Sequence, residues 1–206
     1  MIAVVDYNAG NLGSVKKALD YIGARNIITS SVREIERADG VIFPGVGSFG
    51  EAAESLRKSG LFSAVKEAAN GEKPFLGICL GLQMLFACSA EAPQAEGLGV
   101  LEGTIRRIPS DMGLKVPHMG WNAISIRKKD GIFRDIPDGS YVYFVHSYYL
   151  TARDPQEVSA RTEYGVPIDA AVSHGLLSAT QFHPEKSGEV GLQMLENFNR
   201  MVQGGR

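Results

Sequence analysis

Short apolar runs alternate with longer stretches of helical period through the first part of the chain. Ile2–Val5, Ile27–Ile28, Gly40–Phe43 and Phe75–Ile78 are apolar, largely β-branched or aromatic segments of strand length. Between and after them Leu12–Ile22, Glu51–Lys58 closed by Gly60, a stretch through Val65–Ala69, and Leu80–Phe86 repeat apolar residues at helical spacing. Strands apolar throughout need cover on both faces, so the pattern predicts a parallel sheet with helices on each side.

From Gly103 the texture changes. Thr104–Ile108, Ala123–Ile126, Tyr141–Val145, Val158–Thr162 and Leu177–Phe182 are short strand-like segments separated by Gly, Pro and Asp. A helical period returns only at Gly191–Val202. These strands are expected to extend the sheet antiparallel or to form a smaller second sheet. The predicted class is a three-layer α/β fold, a flavodoxin-like open sheet, parallel in the N-terminal half with added antiparallel strands in the C-terminal half. No repeat or low-complexity linker separates the two textures, and 206 residues suit one ordinary domain, so 1–206 is read as a single domain.

Composition narrows the function classes. With 21 Lys and Arg against 23 Asp and Glu the formal charge is -2, and the longest basic run is Arg127-Lys128-Lys129, which makes nucleic acid a poor partner. No run approaches the roughly 18 apolar residues that a membrane span needs. The apolar start Met1–Val5 also lacks a basic region before it. A soluble, cytoplasmic chain with no membrane partner is expected. Cys79 and Cys88, if both on one helix, would stand roughly 13 Å apart, beyond disulfide reach. The cysteines and the four histidines lack C-x-x-C or H-E-x-x-H spacing, so neither a metal nor a cofactor is expected.

Gly77-Ile78-Cys79-Leu80-Gly81 stands where a buried strand meets a helix, the design of a nucleophile elbow with sulfur in place of hydroxyl. Small residues on either side permit the sharp turn, and a helix N-terminus favours the thiolate and offers backbone donors. Alone, the motif competes with a buried structural cysteine. A thiolate also needs a base with an orienter, and Phe182-His183-Pro184-Glu185 supplies both. If that segment is extended, Glu185 lies on the same side as His183 and can fix its tautomer. His118, His146 and His174 have no acid two residues on and read as ordinary core or surface histidines.

Pro44-Gly45-Val46-Gly47 follows the third predicted strand, beside the strand of Cys79. A glycine-rich turn there can bring the Gly47 N–H to a reacting carbonyl, forming an oxyanion hole with the Leu80 N–H. Gly45, Gly47 and Gly50 also satisfy G-x-G-x-x-G, but after the third strand, behind a proline and without an acidic residue ending the next strand; dinucleotide binding is disfavoured.

With Pro44–Gly47, Gly77–Gln83 and His183–Glu185 in that order, the chain resembles the class I (triad) glutamine amidotransferases. Asp6–Ser14, Val116–Asn122, Tyr143–Tyr148 and Gln181–Ser187 narrow the resemblance to the branch serving histidine biosynthesis, over nearly the whole chain. The Pro-Gly turn, where several sister amidotransferases have Gly-Gly, points the same way; Ser147 stands where some relatives carry Thr.

The resemblance implies that Cys79 takes the side-chain amide of L-glutamine to a thioester, that His183 shuttles the proton, and that Glu185 holds His183. It implies glutamine contacts from Gln83, Glu91, Ser147 and Tyr148, with Glu91 on the α-ammonium. It further implies a heterodimer with a (β/α)8 cyclase subunit that receives the ammonia, met by Asn11, His118, Trp121 and Lys186. Ammonia released into neutral water becomes ammonium, so another chain must capture it. For Trp121 the competing expectation is a plain core residue. Competing functions are the glutaminase of another ammonia-using synthase, a stand-alone cysteine hydrolase of the same fold, and a nucleotide-binding module.

Overall fold

The computed structural model of the protein describes residues 1–111 and 113–204. Its first half runs β1 (Ile2–Val5), α1 (Leu12–Tyr21), β2 (Asn26–Thr29), α2 (Val32–Arg37), β3 (Gly40–Gly45), α3 (Phe49–Lys58), α4 (Phe62–Asn70), β4 (Phe75–Cys79) and α5 (Leu80–Gln83). The second half continues with β5 (Gly103–Arg107), β6 (His118–Ala123), β7 (Ser125–Ile126), β8 (Tyr141–His146) and β9 (Tyr148–Ala152). It closes with β10 (Val158–Glu163), β11 (Pro167–His174), β12 (Leu177–Thr180) and α6 (Gly188–Val202).

Eight strands form one sheet in the order β2, β1, β3, β4, β12, β11, β10, β7. The pairs from β2 to β12 are parallel, and those from β12 to β7 antiparallel. Alternation in the strands sorts the core into two layers. Ala3, Val5, Val41 and Phe43 face the layer covered by Ile35 of α2, Leu56 of α3 and Val65 of α4. Ile2, Val4 and Ile42 face the layer covered by Val15 and Leu19 of α1 and Leu195 and Phe198 of α6. Each such large side chain leaves water almost completely, a gain of about 1.5–3 kcal/mol apiece before chain entropy is set against it.

The expected three-layer fold is present, and both guesses for the late strands hold: β11, β10 and β7 extend the main sheet antiparallel, while β5 with β9 and β6 with β8 form separate two-stranded sheets. Four expectations need correction. The segment Leu177–Phe182 gives a strand that ends at Thr180 and lies parallel to β4, not antiparallel. The single strand expected at Ala123–Ile126 splits, because Ala123 closes β6 in a small sheet and Ser125 opens β7 at the edge of the large one. The third is an omission: one helix, Val32–Arg37, and two strands, Tyr148–Ala152 and Pro167–His174, form where the hydrophobic pattern predicts none.

The fourth correction is the elbow helix, expected over Leu80–Phe86, which stops at Gln83. The returning segment takes its next acceptors: Leu98 N–H donates to the Met84 carbonyl and Val100 N–H to the Leu85 carbonyl. Cys88 therefore does not share a helix with Cys79 and is exposed. Among the described residues no helix is long and apolar enough to cross a membrane.

Candidate active site

The carboxyl ends of β3, β4 and β12 lie side by side, with Gly45 opposite Cys79 and Ile78 opposite Thr180. Open α/β sheets present their ligand sites at this edge. Val46 and Gly47 after β3, Cys79 and Leu80 at the β4–α5 junction, and His183 after β12 meet around a cleft of about 300 Å3. Gln83, Glu91, Ser147 and Tyr148 line the same cleft. A larger hollow of about 600 Å3, among Asn70, Glu102, Arg153 and His174, contains none of these residues; chemistry, not size, selects the site.

Cys79 sits at φ 55° and ψ -107°, a strained conformation for a residue with a side chain. Neighbouring glycines make it possible. A Cβ on Gly77 would stand 3.0 Å from the Gly81 carbonyl oxygen, and one on Gly81 would stand 1.9 Å from that of Phe43. Gly81→Ala should therefore push α5 off β3 and lower Tm by roughly 5–10 °C. Gly13→Ala, at a helical position with open space around it, serves as control and should not lower Tm in the same melting experiment. Because α5 is a single turn, it offers N–H groups at the elbow but only a fraction of a helix macrodipole.

His183 Nδ1 lies 2.8 Å from Glu185 Oε1, and both side chains are almost wholly buried. The contact is as expected but its cause is not. Glu185 lies in a tight 3-10 turn, Pro184–Lys186, which folds it back under an extended His183. Ser187 fastens the turn, its hydroxyl donating to the His183 carbonyl at 2.6 Å and accepting from Tyr143 N–H at 3.0 Å. Burial alone would lower the imidazole pKa, but the Cys79 sulfur and the Glu185 carboxylate outweigh it and raise it to about 10. Nε2, the nitrogen left for Cys79, makes no hydrogen bond of normal geometry, as in many catalytic pairs before substrate tightens them.

A chain of buried hydrogen bonds, invisible in the sequence, surrounds the sulfur. The Tyr148 carbonyl accepts from Gln83 Nε2 at 3.0 Å and from His146 Nδ1 at 2.9 Å. Carbonyls only accept, so both of those nitrogens carry the proton. Burial lowers the pKa of His146 to about 3 and of His118 to about 4, so both rings are neutral at neutral pH. His146 Nε2 must then accept from His118 Nδ1 at 3.0 Å, and His118 Nε2 from Asn122 at 3.3 Å. In the other direction Gln83 Nε2 also donates to Gln181 Oε1 at 3.0 Å, which turns Gln181 Nε2 toward Cys79 Sγ, 3.7 Å away.

Glu91 is anchored at the start of α3, where Oε2 accepts from Phe49 N–H at 2.7 Å. Gly47 has φ +98°, a conformation that favours glycine. Tyr7, a residue the sequence did not single out, packs its buried ring on Phe43 with 5.1 Å between centroids. Its hydroxyl fills the space where a Gly45 side chain would be; burial first, and Cys79 second, push its pKa up.

Beside the cleft the outer face of the β6–β8 sheet is apolar and open. Trp121 is 56% exposed and Met119 62%, so Trp121 is not a core residue. Tyr143 pairs with Trp121 across the sheet, and Lys186 Nζ stands 5.9 Å over the Tyr143 ring. Asn11, at the start of α1, is half-buried. His118, expected to meet a partner, corrects that expectation. It points to the inner face, 3% exposed, stacked between Phe144 and Tyr164. Among the described residues no cluster of three or more His, Cys, Asp or Glu could hold a metal ion.

An elbow cysteine, a buried His–Glu pair and a glycine turn at one sheet edge are the parts of a thiol amidohydrolase. The chain belongs to the family described as glutamine amidotransferase class-I, whose model matches residues 3–201. Within it, the chain is 47% identical over 202 residues to imidazole glycerol phosphate synthase subunit HisH of Moorella thermoacetica, covering 98% of this chain and 95% of that one. It is 47% identical over 205 residues to the subunit of the same name from Trichormus variabilis, covering 98% and 97%. Solved structures share the fold at 20% identity. They include a glutamine amidotransferase (TM-score 0.76, covering 99% of this chain and 100% of that one) and a chain of PurLQS from Thermotoga maritima (0.74, 98% and 98%).

Proposed function

We propose that this chain hydrolyses L-glutamine to glutamate and ammonia and supplies the ammonia to a cyclase subunit, as the glutaminase half of an imidazole glycerol phosphate synthase in the cytoplasm. The observation that carries this reading is the convergence of Cys79, His183 with Glu185, and the anchored Glu91 on one cleft. Glu91 and the oxygen of Gln83 would hold the α-ammonium end, with Ser147 and Tyr148 along the side. The Cys79 sulfur attacks the carboxamide carbon, and the resulting oxyanion takes N–H bonds from Leu80 and Gly47. His183 gives its proton to the departing nitrogen, the C–N bond breaks and ammonia leaves. His183 then takes a proton from water as it attacks the thioester carbon, and the C–S bond breaks to release glutamate.

The raised His183 pKa keeps the ring protonated at neutral pH, which supports the role of proton donor to the departing nitrogen. Control fits the glycine turn. A lost oxyanion donor costs about 10²–10³ in rate, and the Val46–Gly47 peptide is the unit that turns most easily. A partner that favours the inward orientation would thus wake an idle subunit. We place that partner, a (β/α)8 cyclase subunit, on the face of Met119, Trp121, Tyr143 and Lys186, with Asn11 near by.

The test is glutamate release by the chain alone and with the cyclase subunit carrying its phosphoribulosyl ligand. Near idleness alone and strong stimulation in the complex are expected; equal rates in both would favour a stand-alone hydrolase. Trp121→Ala should weaken the complex about 30-fold or more, as for an interface anchor. Its Tm should stay unchanged, and a fall in Tm would return Trp121 to a structural role.

A further inference from the structure

Gln181 follows β12 directly and is fully buried. Its backbone N–H continues the sheet, donating to the Ala170 carbonyl at 2.8 Å, so the side chain is free to serve another purpose. The Tyr148 carbonyl determines what that purpose can be. It fixes the Gln83 nitrogen, the Gln83 nitrogen fixes the Gln181 oxygen, and the atom of Gln181 left beside Cys79 Sγ is an N–H donor. Reversing either amide would set two donors, or two acceptors, against each other in the interior, a cost of about 1–3 kcal/mol per unpaired group. As Gln83 spends both of its N–H groups on Tyr148 and Gln181, the one polar atom it has left for the cleft is an acceptor, Oε1.

The sulfur's other contact, to the backbone carbonyl of Val145 at 3.9 Å, suits a thiol that carries its proton. An N–H suits the opposite state, because hydrogen bonds to an ionised acceptor are roughly twice as strong as neutral ones. We propose that Gln181 is a positioning residue with two tasks: its N–H directs and favours the reactive, deprotonated Cys79 sulfur, and its carbonyl oxygen locks Gln83 so that Gln83 offers only an acceptor to the bound substrate. The second task selects a ligand with a donor, such as an ammonium or primary amide, at that end of the cleft. It rests on the glutaminase reading; the first does not.

The test uses Gln181→Glu and Gln181→Met in the full chain with Cys88→Ser, since Cys88 is exposed and would also react. Glutamate keeps the acceptor for Gln83 and sets an anion beside the sulfur; methionine removes both functions at similar volume. The pH profile of Cys79 alkylation by iodoacetamide, which needs neither glutamine nor partner, should move to higher pH by at least about one unit in Gln181→Glu. In Gln181→Met it should move the same way by less. With the cyclase subunit bound, Gln181→Glu should lower kcat with little change in KM, and Gln181→Met should also raise KM for glutamine about three- to tenfold.

Alkylation profiles that superimpose on the parent in both folded variants would overturn the first task, and an unchanged KM in Gln181→Met the second. If Gln181→Glu fails to fold, the Gln181→Met profile alone decides the first task. A parent chain that alkylates normally but hydrolyses no glutamine with the cyclase subunit would reject the glutaminase reading and leave the first task standing.

Discussion

Cys79→Ala should reduce glutamine-dependent synthesis by the paired subunits roughly 10⁶-fold, the scale on which removing a nucleophile acts. The same complex supplied with ammonium salt should keep its rate, because only the release of ammonia belongs to this chain. Folding should survive the change. Alanine has the same difficulty with φ 55° as cysteine, and the sulfur's contacts, at 3.7 and 3.9 Å, are long. Cys88→Ser, exposed and remote from α5, should leave both reactions unchanged. The two assays run side by side on one preparation separate a lost nucleophile from a lost protein. Glutamine-driven turnover that persists in Cys79→Ala would remove Cys79 from the mechanism.

The parts of the site that were legible in the sequence are those whose geometry is local. The elbow announces itself because Gly81 lets the start of α5 pass close against Phe43 of β3 while Gly77 leaves room for the Gly81 carbonyl. The pair His183 and Glu185 is recognisable from spacing, although a 3-10 turn, not an extended strand, brings them together. Pro44–Gly47 lies beside Cys79 because parallel strands bring their carboxyl ends to one edge, although Pro44 and Gly45 still belong to β3 and only Val46 and Gly47 follow it.

What was not legible depends on pairing between distant segments. His118 meets His146 only because β6 and β8 pair in a register that sets those two residues opposite each other. A sequence shows neither the register nor which face His118 takes. Gln181 gains its meaning from a carbonyl at Tyr148, reached through Gln83. In β11, Pro167 and Asp169 look like loop residues. The carboxylate of Asp169 is instead buried, bonded to Arg161 at 2.6 Å and to Ala152 N–H at 2.9 Å. Short α2 was hidden for another reason: one buried residue, Ile35, gives it no periodic apolar face.

His183→Ala should cost nearly as much glutamine-dependent activity as Cys79→Ala, since thiolate and imidazolium act as a unit, and Glu185→Gln should cost roughly 10- to 100-fold less. The reason lies in the charges. Glutamine at position 185 can still hydrogen-bond Nδ1 but no longer contributes the negative charge that helps raise the His183 pKa. The ring proton of His183, followed by NMR as pH is raised, should titrate near 10 in the parent and at lower pH in Glu185→Gln and in Cys79→Ser. Stability should follow with a definite sign. The folded pKa lies above the value of about 6.5 for an unfolded histidine. The stabilisation contributed by this charge cluster is therefore complete below that value and fades as pH rises toward 10. Glu185→Gln should flatten the loss of Tm between neutral pH and pH 10. Equal activity losses for His183→Ala and Glu185→Gln, with no movement of the His183 titration, would show that Glu185 neither orients the ring nor holds its charge.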